Sequence, residues 1–456
     1  MLGFVCSLAA ITYLDRVCFG SAQANLRDAL GLSNVDELAN AIAAFSLAYA
    51  AFEVPTGWLG DVFGPRSTLI RVVLWWSFFT ALTAVVGLTP MLGVGALVVI
   101  RFLFGMGEAG AFPNITRSLH NWFPIAERAM AQGYVWMSGR LMGGFTPLVW
   151  TALVVWGGMS WRLAFVLFGL IGVLWCVLFA RWFRNRPEER ADVNAAELEL
   201  IRAGTGHATE AAEARVPWGK LLASGNLWAL CVMYFCMSYG WYFNLQYLPA
   251  CLDDAFGVPK DSFWFSIAKG GPLILGAAGC LVGGWLSDWY IRRTGNRRWA
   301  RRIFGMIGHG LCVPLYLACI VAPNAWVFAG ALALTGFCND LAIGSAWATC
   351  QDIGRRHAAI VAGCMNTIGN LGGFACAKVV GWLLLASRTR FLESAGLPLD
   401  AFKTLSADDR RAALMPGYEW ALASFAGLYA VAVLLWLCID ATKPVLPEDD
   451  GMPVSK

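Results

Sequence analysis

Charged residues are scarce in this chain. Asp, Glu, Lys and Arg make up 14% of its 456 residues, whereas a soluble domain carries about 25%. A glycine-rich phosphate loop ending in lysine is missing as well. Histidine is rare, and the four positions are too far apart for a metal-ligand or acyltransferase spacing: His120, His207, His309 and His357. These absences exclude an ordinary soluble domain and argue against a membrane enzyme and against ATP-driven transport.

The 14 cysteines form no Cys-x-x-Cys pair and no Cys/His cluster. Most of them lie inside apolar segments, where cysteine behaves as a small hydrophobic residue. The sequence therefore predicts no metal site, no cofactor and no nucleic-acid partner.

Apolar residues, by contrast, make up 58% of the chain. They are arranged in blocks of about 20 residues, the length at which a helix crosses a bilayer. A helix also satisfies its own backbone polar groups in lipid, and the blocks show no alternation typical of a β-barrel. We predict an all-α membrane protein with twelve transmembrane helices. The blocks span residues 3–24, 40–60, 67–88, 91–115, 129–155, 161–183, 227–250, 262–288, 303–322, 326–350, 357–386 and 417–438.

The loops between these blocks differ in charge. Counted from an N-terminus inside, the inner loops hold 19 Lys and Arg residues and the outer loops hold 8. Positively charged loops stay on the cytoplasmic side. We therefore expect both termini in the cytoplasm and the chain in the inner (plasma) membrane. The first block lacks the basic start of a cleavable signal peptide, so no such signal is expected.

One sequence repeat divides the chain. The stretch "PTGWLGDVFGPR" begins at residue 55 and "GGWLSDWYIRRTGNRR" at residue 283, and each follows an apolar block at its inner end. Asp61 and Asp288 are 227 residues apart, about half the chain. That spacing indicates two pseudo-symmetric six-helix bundles. We expect bundles at 1–183 and 227–440, a cytoplasmic linker at 184–226 and a cytoplasmic tail at 441–456.

The repeat also predicts a gate. An aspartate at a helix end can pair with an arginine or cap the N-terminus of a neighbouring helix. Asp61, Arg66 and Asp288 are therefore candidate gating residues on the cytoplasmic side. The alternative is a topological turn whose arginines only follow the positive-inside rule.

Three arginines lie deep inside the apolar blocks. Arg16, Arg101 and Arg140 are roughly 15–20 Å from the ends of their helices, at a rise of about 1.5 Å per residue. A charge at mid-bilayer is costly, so it usually faces a bundle interior or a wet cavity. Because arginine stays charged and matches a carboxylate with its planar fork, three at one depth predict a site for an organic anion. The alternative is that they only neutralise nearby acids, namely Asp15, Glu53 and Glu108.

Two of those acids are candidate proton carriers. Glu108 shares a helical face with Arg101, and Gly105 leaves room between them. A carboxyl group in a partly dry cavity takes a proton more readily than one in water. Glu108 and Asp15 could each alternate between a protonated state and an arginine-paired state. For Asp15 the alternative is a permanent salt bridge.

Several motifs resemble the major facilitator superfamily, and its anion:cation symporter branch in particular. They are "YLDRVCFG" in the first helix, "RFLFGMGEAGAFPNITRSLHNWFPIAERAMAQG" across the fourth and fifth, and "WATCQDIG" with "GCMNTIGNLGG" across the tenth and eleventh. The resemblance implies that Tyr13 and Arg16 contact the anion and that Asp15 and Glu108 are linked to protons. Arg101 matches the family's arginine seven residues before the glutamate.

Uncharged polar residues complete the candidate substrate site. Tyr49 lies in the second helix, and Asn366 and Asn370 lie one turn apart in the eleventh, where they suit the binding of hydroxyl groups. In the seventh helix we favour Tyr242 and Gln246, also one turn apart.

Some charges depart from the family pattern. Arg140 stands where relatives often have a neutral polar residue, which suggests a dianion or a more acidic substrate, or else a pair with Glu53. In the second half, Asp340 could pair with Lys269 or bind substrate. Lys378 is late in its helix and could snorkel to the outer surface.

The sequence thus predicts a secondary transporter that takes up an organic carboxylate of the sugar-acid class together with protons. The alternatives are sodium coupling, exchange or efflux of a dicarboxylate or aromatic acid on the same fold, and a multipass membrane enzyme as the weakest. The expected partners are a small organic anion, protons and the lipid bilayer, with the protein as a monomer.

Overall fold

The computed structural model describes residues 1–31, 38–205, 216–259 and 263–446, and these are helical without any β-strand. Parts of the predicted linker and tail, at 206–215 and 447–456, lie outside the described residues. Each of the twelve predicted blocks coincides with a long helix or a pair of helices in line. The twelve are α1 (Leu2–Ser21), α2 (Ala39–Phe63), α3 (Pro65–Leu82), α4 (Val94–Glu108 and Ala111–Trp122), α5 (Arg128–Trp150), α6 (Trp161–Trp182), α7 (Gly225–Gln246), α8 (Phe263–Thr294), α9 (Arg297–Ile320), α10 (Ala325–Leu341 and Ile343–Gly354), α11 (Ala358–Ser394) and α12 (Ala407–Cys438).

Most helices are long and apolar enough to span a bilayer. Nine stretches of the described chain meet that condition, and one of them, Ala325–Ser394, contains both α10 and α11. The helices α5 and α7 are not among the nine, since α5 carries two arginines and a glutamine and α7 is rich in tyrosine and tryptophan. Large apolar side chains cover much of the exposed surface, for example Phe78, Leu174, Trp326 and Trp382. Such a surface suits lipid rather than water.

Two helices break at equivalent places. In the first half (α1–α6), α4 is interrupted directly after Glu108. In the second half (α7–α12), α10 is interrupted after Leu341, one residue beyond Asp340. The sequence predicted one continuous block in each case. A break frees backbone groups and lets the chain change direction, and here an acidic side chain lies beside each one.

Several predicted loops are helical in the structure. The inner loop expected at 117–128 continues α4 as far as Trp122, and α12 begins ten residues earlier than expected. Several polar residues of the second part of α4, Ala111–Trp122, are buried and hydrogen-bonded: Asn114 donates to the carbonyl of Thr56, and Thr116 accepts from Gln132 at 3.0 Å. Hydropathy alone cannot identify such a segment, because these polar side chains bond to neighbouring helices.

The two halves touch through glycines. A Cβ atom at Gly133 of α5 would collide with the carbonyl oxygen of Cys280 in α8. One at Gly284 of α8 would lie 2.5 Å from the carbonyl oxygen of Ala129, and one at Gly57 of α2 would lie 2.7 Å from that of Ala359 in α11. Small residues allow such close approach of helix backbones. The halves are therefore in backbone contact along α5–α8 and α2–α11.

This contact predicts a selective effect of added volume. Gly133→Val should lower the free energy of unfolding by about 1–3 kcal/mol, since overpacking a tight interface costs that much. The measurement is the thermal unfolding temperature of the purified protein in detergent. Gly144→Val is the matched control, because Gly144 is on the same helix with open space around it. Equal unfolding temperatures for the two variants would contradict the packing argument.

Candidate functional site

Arg16 lies at the centre of an aromatic pocket. Its guanidinium carbon is 4.7, 5.4 and 5.7 Å from the ring centroids of Tyr49, Phe45 and Tyr13. Its Nη2 is 3.2 Å from Oε2 of Glu108, a fully buried carboxylate at the break in α4. The Arg16 side chain remains 27% exposed, far more than the other two deep arginines. An anion can therefore reach Arg16, and it would compete there with Glu108.

Arg101 has a different environment from the one its sequence position suggested. Its guanidinium carbon lies 4.2, 4.6 and 4.8 Å from the ring centroids of Phe19, Phe45 and Phe104. No carboxylate of the described chain is within salt-bridge distance, and its buried Nε has no hydrogen-bond acceptor. Two helical turns, about 10 Å, separate it from Glu108 along α4, so that acid bonds to Arg16 instead. Cation–π contacts make the buried charge tolerable.

Asp15 does not pair with its neighbour in sequence. One of its oxygens accepts a hydrogen bond from Nε1 of Trp76 at 3.1 Å, and the other has no hydrogen-bond donor in the described structure. The alternative of a permanent ion pair is therefore wrong for the described residues. Adjacent side chains point about 100° apart on a helix, so Asp15 faces α3 while Arg16 faces the pocket. Nothing in the sequence distinguishes Trp76 from the other 21 tryptophans.

Arg140 and Asp340 form a bidentate pair across the two halves. Nε of Arg140 is 2.9 Å from Oδ2 of Asp340, and Nη2 is 3.2 Å from Oδ1. The remaining Nη1 donates to the hydroxyl of Tyr13 at 3.2 Å, and the guanidinium stacks 4.0 Å from the centroid of Trp241. The suggested pairing of Arg140 with Glu53 is wrong. The suggested pairing of Asp340 with Lys269 is wrong too, because Lys269 is exposed.

Glu53 joins α2 to α11. Its Oε1 accepts a hydrogen bond from Asn366, and its Oε2 accepts one from Asn370 at 3.2 Å. Tyr242 donates to the side-chain oxygen of Asn370 at 2.8 Å. The two asparagines expected to bind hydroxyl groups are thus already occupied by a buried carboxyl group. Gln246 is exposed at the last position of α7 and forms no hydrogen bond to this cluster in the described structure.

The two repeated aspartates cap helices of the opposite half. Asp61 accepts from the backbone N–H groups of Ile360 at 2.9 Å and Ala359 at 3.3 Å, at the N-terminus of α11. Asp288 accepts from the N–H of Met130 at 2.7 Å, at the N-terminus of α5. A carboxylate at a helix N-terminus satisfies free N–H groups and the helix dipole together. This is the capping contact that the sequence suggested for both repeats.

Arg66 takes no part in that contact. Its guanidinium donates to the carbonyl of Ala180 at 2.5 Å, and its backbone N–H donates to Asn185 at 2.9 Å, both within the first half. The cations that do serve the caps are Arg117, 3.6 Å from Asp61, and Arg301, 2.9 Å from Asp288. In the sequence analysis, these two arginines were counted only as positive charges of cytoplasmic loops.

Asp352 is another acid that links the halves, on the same side as Asp61 and Asp288. It accepts from Arg128 of α5 at 3.1 Å and from Arg301 of α9 at 3.1 Å, and all three side chains are buried. Arg301 also donates to the carbonyl of Ile125 at 3.1 Å. With the two caps, this network closes the surface that carries both repeats, here called the gate side. Asp352 lies in the motif "WATCQDIG" and Arg128 in "WFPIAERA". Their presence in these family motifs was the one sequence feature that could have marked them as functional residues.

The comparisons with known proteins agree with this architecture. Residues 5–377 match the Major Facilitator Superfamily. The chain is 34% identical to a probable sulfoacetate transporter of Cupriavidus necator, over 84% of this chain and 86% of that protein. It is 28% identical to a probable galactarate/D-glucarate transporter of Bacillus subtilis (83% and 84% covered) and 28% identical to a hexuronate transporter of that species (87% and 91%). Among solved structures, a proton:xylose symporter matches with a TM-score of 0.66 at 14% identity, over 97% of this chain and 96% of that one.

The caps lead to a testable expectation. Asp61→Asn and Asp288→Asn should each weaken the gate side by about 1 kcal/mol, because a charge at a helix N-terminus contributes about that much. Hydrogen–deuterium exchange should then speed up in the first turns of α11 and α5, respectively. Asp408→Asn is the control, since Asp408 is an exposed acid in the first turn of α12. Unchanged exchange in both helix starts would show that the caps do not hold the gate side.

Proposed function

The chain belongs to the Major Facilitator Superfamily, and on that basis we propose that it takes up an organic carboxylate, of the sugar-acid class, together with protons. The comparisons establish that the protein is a multipass membrane transporter and not an enzyme, and that its relatives are transporters of organic acids. One observation carries the finer proposal. A partly exposed arginine in an aromatic pocket, Arg16, is paired with a fully buried carboxylate, Glu108.

Proton coupling follows from the charges in that pair. Arginine does not give up its proton in a protein, whereas a carboxyl group in a dry site readily accepts one. If Glu108 takes a proton, Arg16 is free to bind the carboxylate of the substrate, and the site stays neutral. When Glu108 loses the proton, it recaptures Arg16 and expels the anion. Asp15, with one oxygen unbonded, is the second candidate for the same exchange.

The direction of access follows from the gate side. The caps of Asp61 and Asp288 and the Asp352 network close that surface, which supports entry of substrate from the opposite side. The loops there are the arginine-rich ones, so we place the gate side and both termini in the cytoplasm of a cell whose plasma membrane contains the protein. Transport then requires that the caps release as the halves rock.

The sugar-acid assignment is supported by the hydroxyl and amide groups around Arg16. The hydroxyls of Tyr13 and Tyr242 and the amides of Asn366 and Asn370 are held by buried charged or polar partners. Each can exchange its partner for a substrate hydroxyl. The named relatives are a probable sulfoacetate transporter, a probable galactarate/D-glucarate transporter and a hexuronate transporter, and the substrates in these names share an anionic end with the one proposed here.

Glu108→Gln tests the coupling. In proteoliposomes with an inward proton gradient, the wild type should concentrate a labelled sugar acid, and the variant should lose accumulation but keep exchange. Glu393→Gln is the control, because Glu393 is exposed near the end of α11. Accumulation by Glu108→Gln equal to that of the wild type would remove Glu108 from the coupling, and a response to sodium but not to protons would refute proton symport.

Arg16→Lys tests the anion contact. Lysine keeps the charge but cannot form the two parallel bonds of a guanidinium, so KM should rise about tenfold or more, as expected for the loss of a charged hydrogen bond. Arg71→Lys serves as the control, since Arg71 is an exposed arginine on α3. If Arg16→Lys leaves KM unchanged and Arg101→Lys raises it, Arg101 is the anion contact.

A further inference from the structure

The acid of the Arg16–Glu108 pair has a counterpart in the second half. Glu108 is the last residue before the break in α4, and Asp340 is the second-last before the break in α10. Each acid is fully buried, and each is paired with an arginine of another helix, Arg16 of α1 or Arg140 of α5. The two acids therefore occupy equivalent places in the pseudo-symmetric fold, whereas both arginines belong to the first half, on α1 and α5.

The geometry at Arg140 is that of a carboxylate-binding site. Two parallel N–H groups of its guanidinium contact the two oxygens of Asp340, one face stacks on Trp241, and the remaining nitrogen binds the Tyr13 hydroxyl. Asp340 therefore occupies the position that the carboxylate of a bound anion would take. The tyrosine is shared, because its ring also lies 5.7 Å from the guanidinium carbon of Arg16. Tyr13 therefore lies between the two arginines.

Asp340 depends on Arg140 for its charge. From its own helix, Asn339 donates to Oδ1 at 2.8 Å, and Tyr429 of α12 donates to that asparagine and not to the acid. Two thiols face it, Cys280 of α8 and Cys312 of α9. In the described structure no cation other than Arg140 is within salt-bridge distance. A buried carboxylate without its partner is strongly unfavourable. If Arg140 binds another anion, Asp340 must take up a proton.

We propose that Arg140 and Asp340 form a second anion- and proton-binding site, so that the substrate is a dianion with one acidic group on Arg16 and the other on Arg140. This rests on the function proposed above and names its substrate class. One proton enters on Glu108 and one on Asp340 from the side where the substrate binds, and both leave with the substrate on the other side. Two negative and two positive charges cross together, so the cycle is electroneutral.

A matched substrate pair tests the second site. A hexonate and a hexarate share a six-carbon hydroxylated chain and differ in having one or two carboxylates. The double variant Arg140→Gln/Asp340→Asn removes both charges and keeps groups that can bond to each other. It should lower the hexarate-to-hexonate ratio of kcat/KM at least about tenfold, the loss expected for a charge-assisted bidentate contact. The control is Arg298→Gln/Asp440→Asn, a partly exposed pair outside the site.

Proton counting separates a binding role from a purely structural one. With the wild type, a pH-sensitive dye in the vesicle lumen should record about two protons per hexarate, and Asp340→Asn should reduce that to about one. If the Arg140–Asp340 pair only held the halves together, its loss would change transport of both substrates equally and leave the proton count unchanged. Equal ratios and equal counts would overturn the dianion proposal and leave uptake of monoanions with protons intact. Failure of the wild type to concentrate either acid would overturn the proposed function itself.

Should the double variant not fold, Asp340→Asn decides the question, because Glu108 and Asp15 are intact in that variant. A proton count per hexarate that falls from about two in the wild type to about one in the variant supports the second site, and an unchanged count refutes it.

Discussion

A buried charge in a membrane protein has to be compensated, and most of this structure follows from how that is done. Arg16 binds Glu108, Arg140 binds Asp340, and Arg128 and Arg301 share Asp352. Two of these pairs, Arg140–Asp340 and Arg128–Asp352, join one half to the other, so these contacts also fix the relative position of the halves. In the transport cycle proposed above, a proton or an anion replaces one partner of such a pair, which would link a change in protonation or in ligand to a change in conformation.

On the gate side, the partial positive charge of helix N-termini compensates the buried aspartates. Asp61 and Asp288 bind the N-termini of α11 and α5, whose helix dipoles are permanent and identical in both halves. Glycines bring the same helices into backbone contact close by, at Gly284 and Gly57. Close packing and helix caps therefore occur together on the gate side.

Aromatic rings decide how accessible each arginine is. Arg101 is enclosed by phenylalanines and has little contact with solvent, whereas Arg16 is flanked by two tyrosines and remains partly exposed. The ring of Tyr13 lies beside the guanidinium of Arg16, and its hydroxyl accepts a hydrogen bond from Arg140. Tyr13 is therefore the physical connection between the two acid–arginine pairs. A tyrosine ring can contact the carbon skeleton of a ligand while the tyrosine hydroxyl forms a hydrogen bond to a charged group of that ligand.

The sequence by itself determined the helical fold, the approximate helix positions, the buried charges and the family, because long apolar blocks and costly charges are local properties of the chain. It also indicated the two capping aspartates, since the repeat places them at helix ends. Only the tertiary structure decided the partners: Glu108 with Arg16 instead of Arg101, Asp340 with Arg140, and Asn366 with Glu53. Partner choice depends on which face each helix turns to its neighbours. In a chain that is apolar on nearly every face, periodicity does not show that orientation, and only the packing of all the helices determines it.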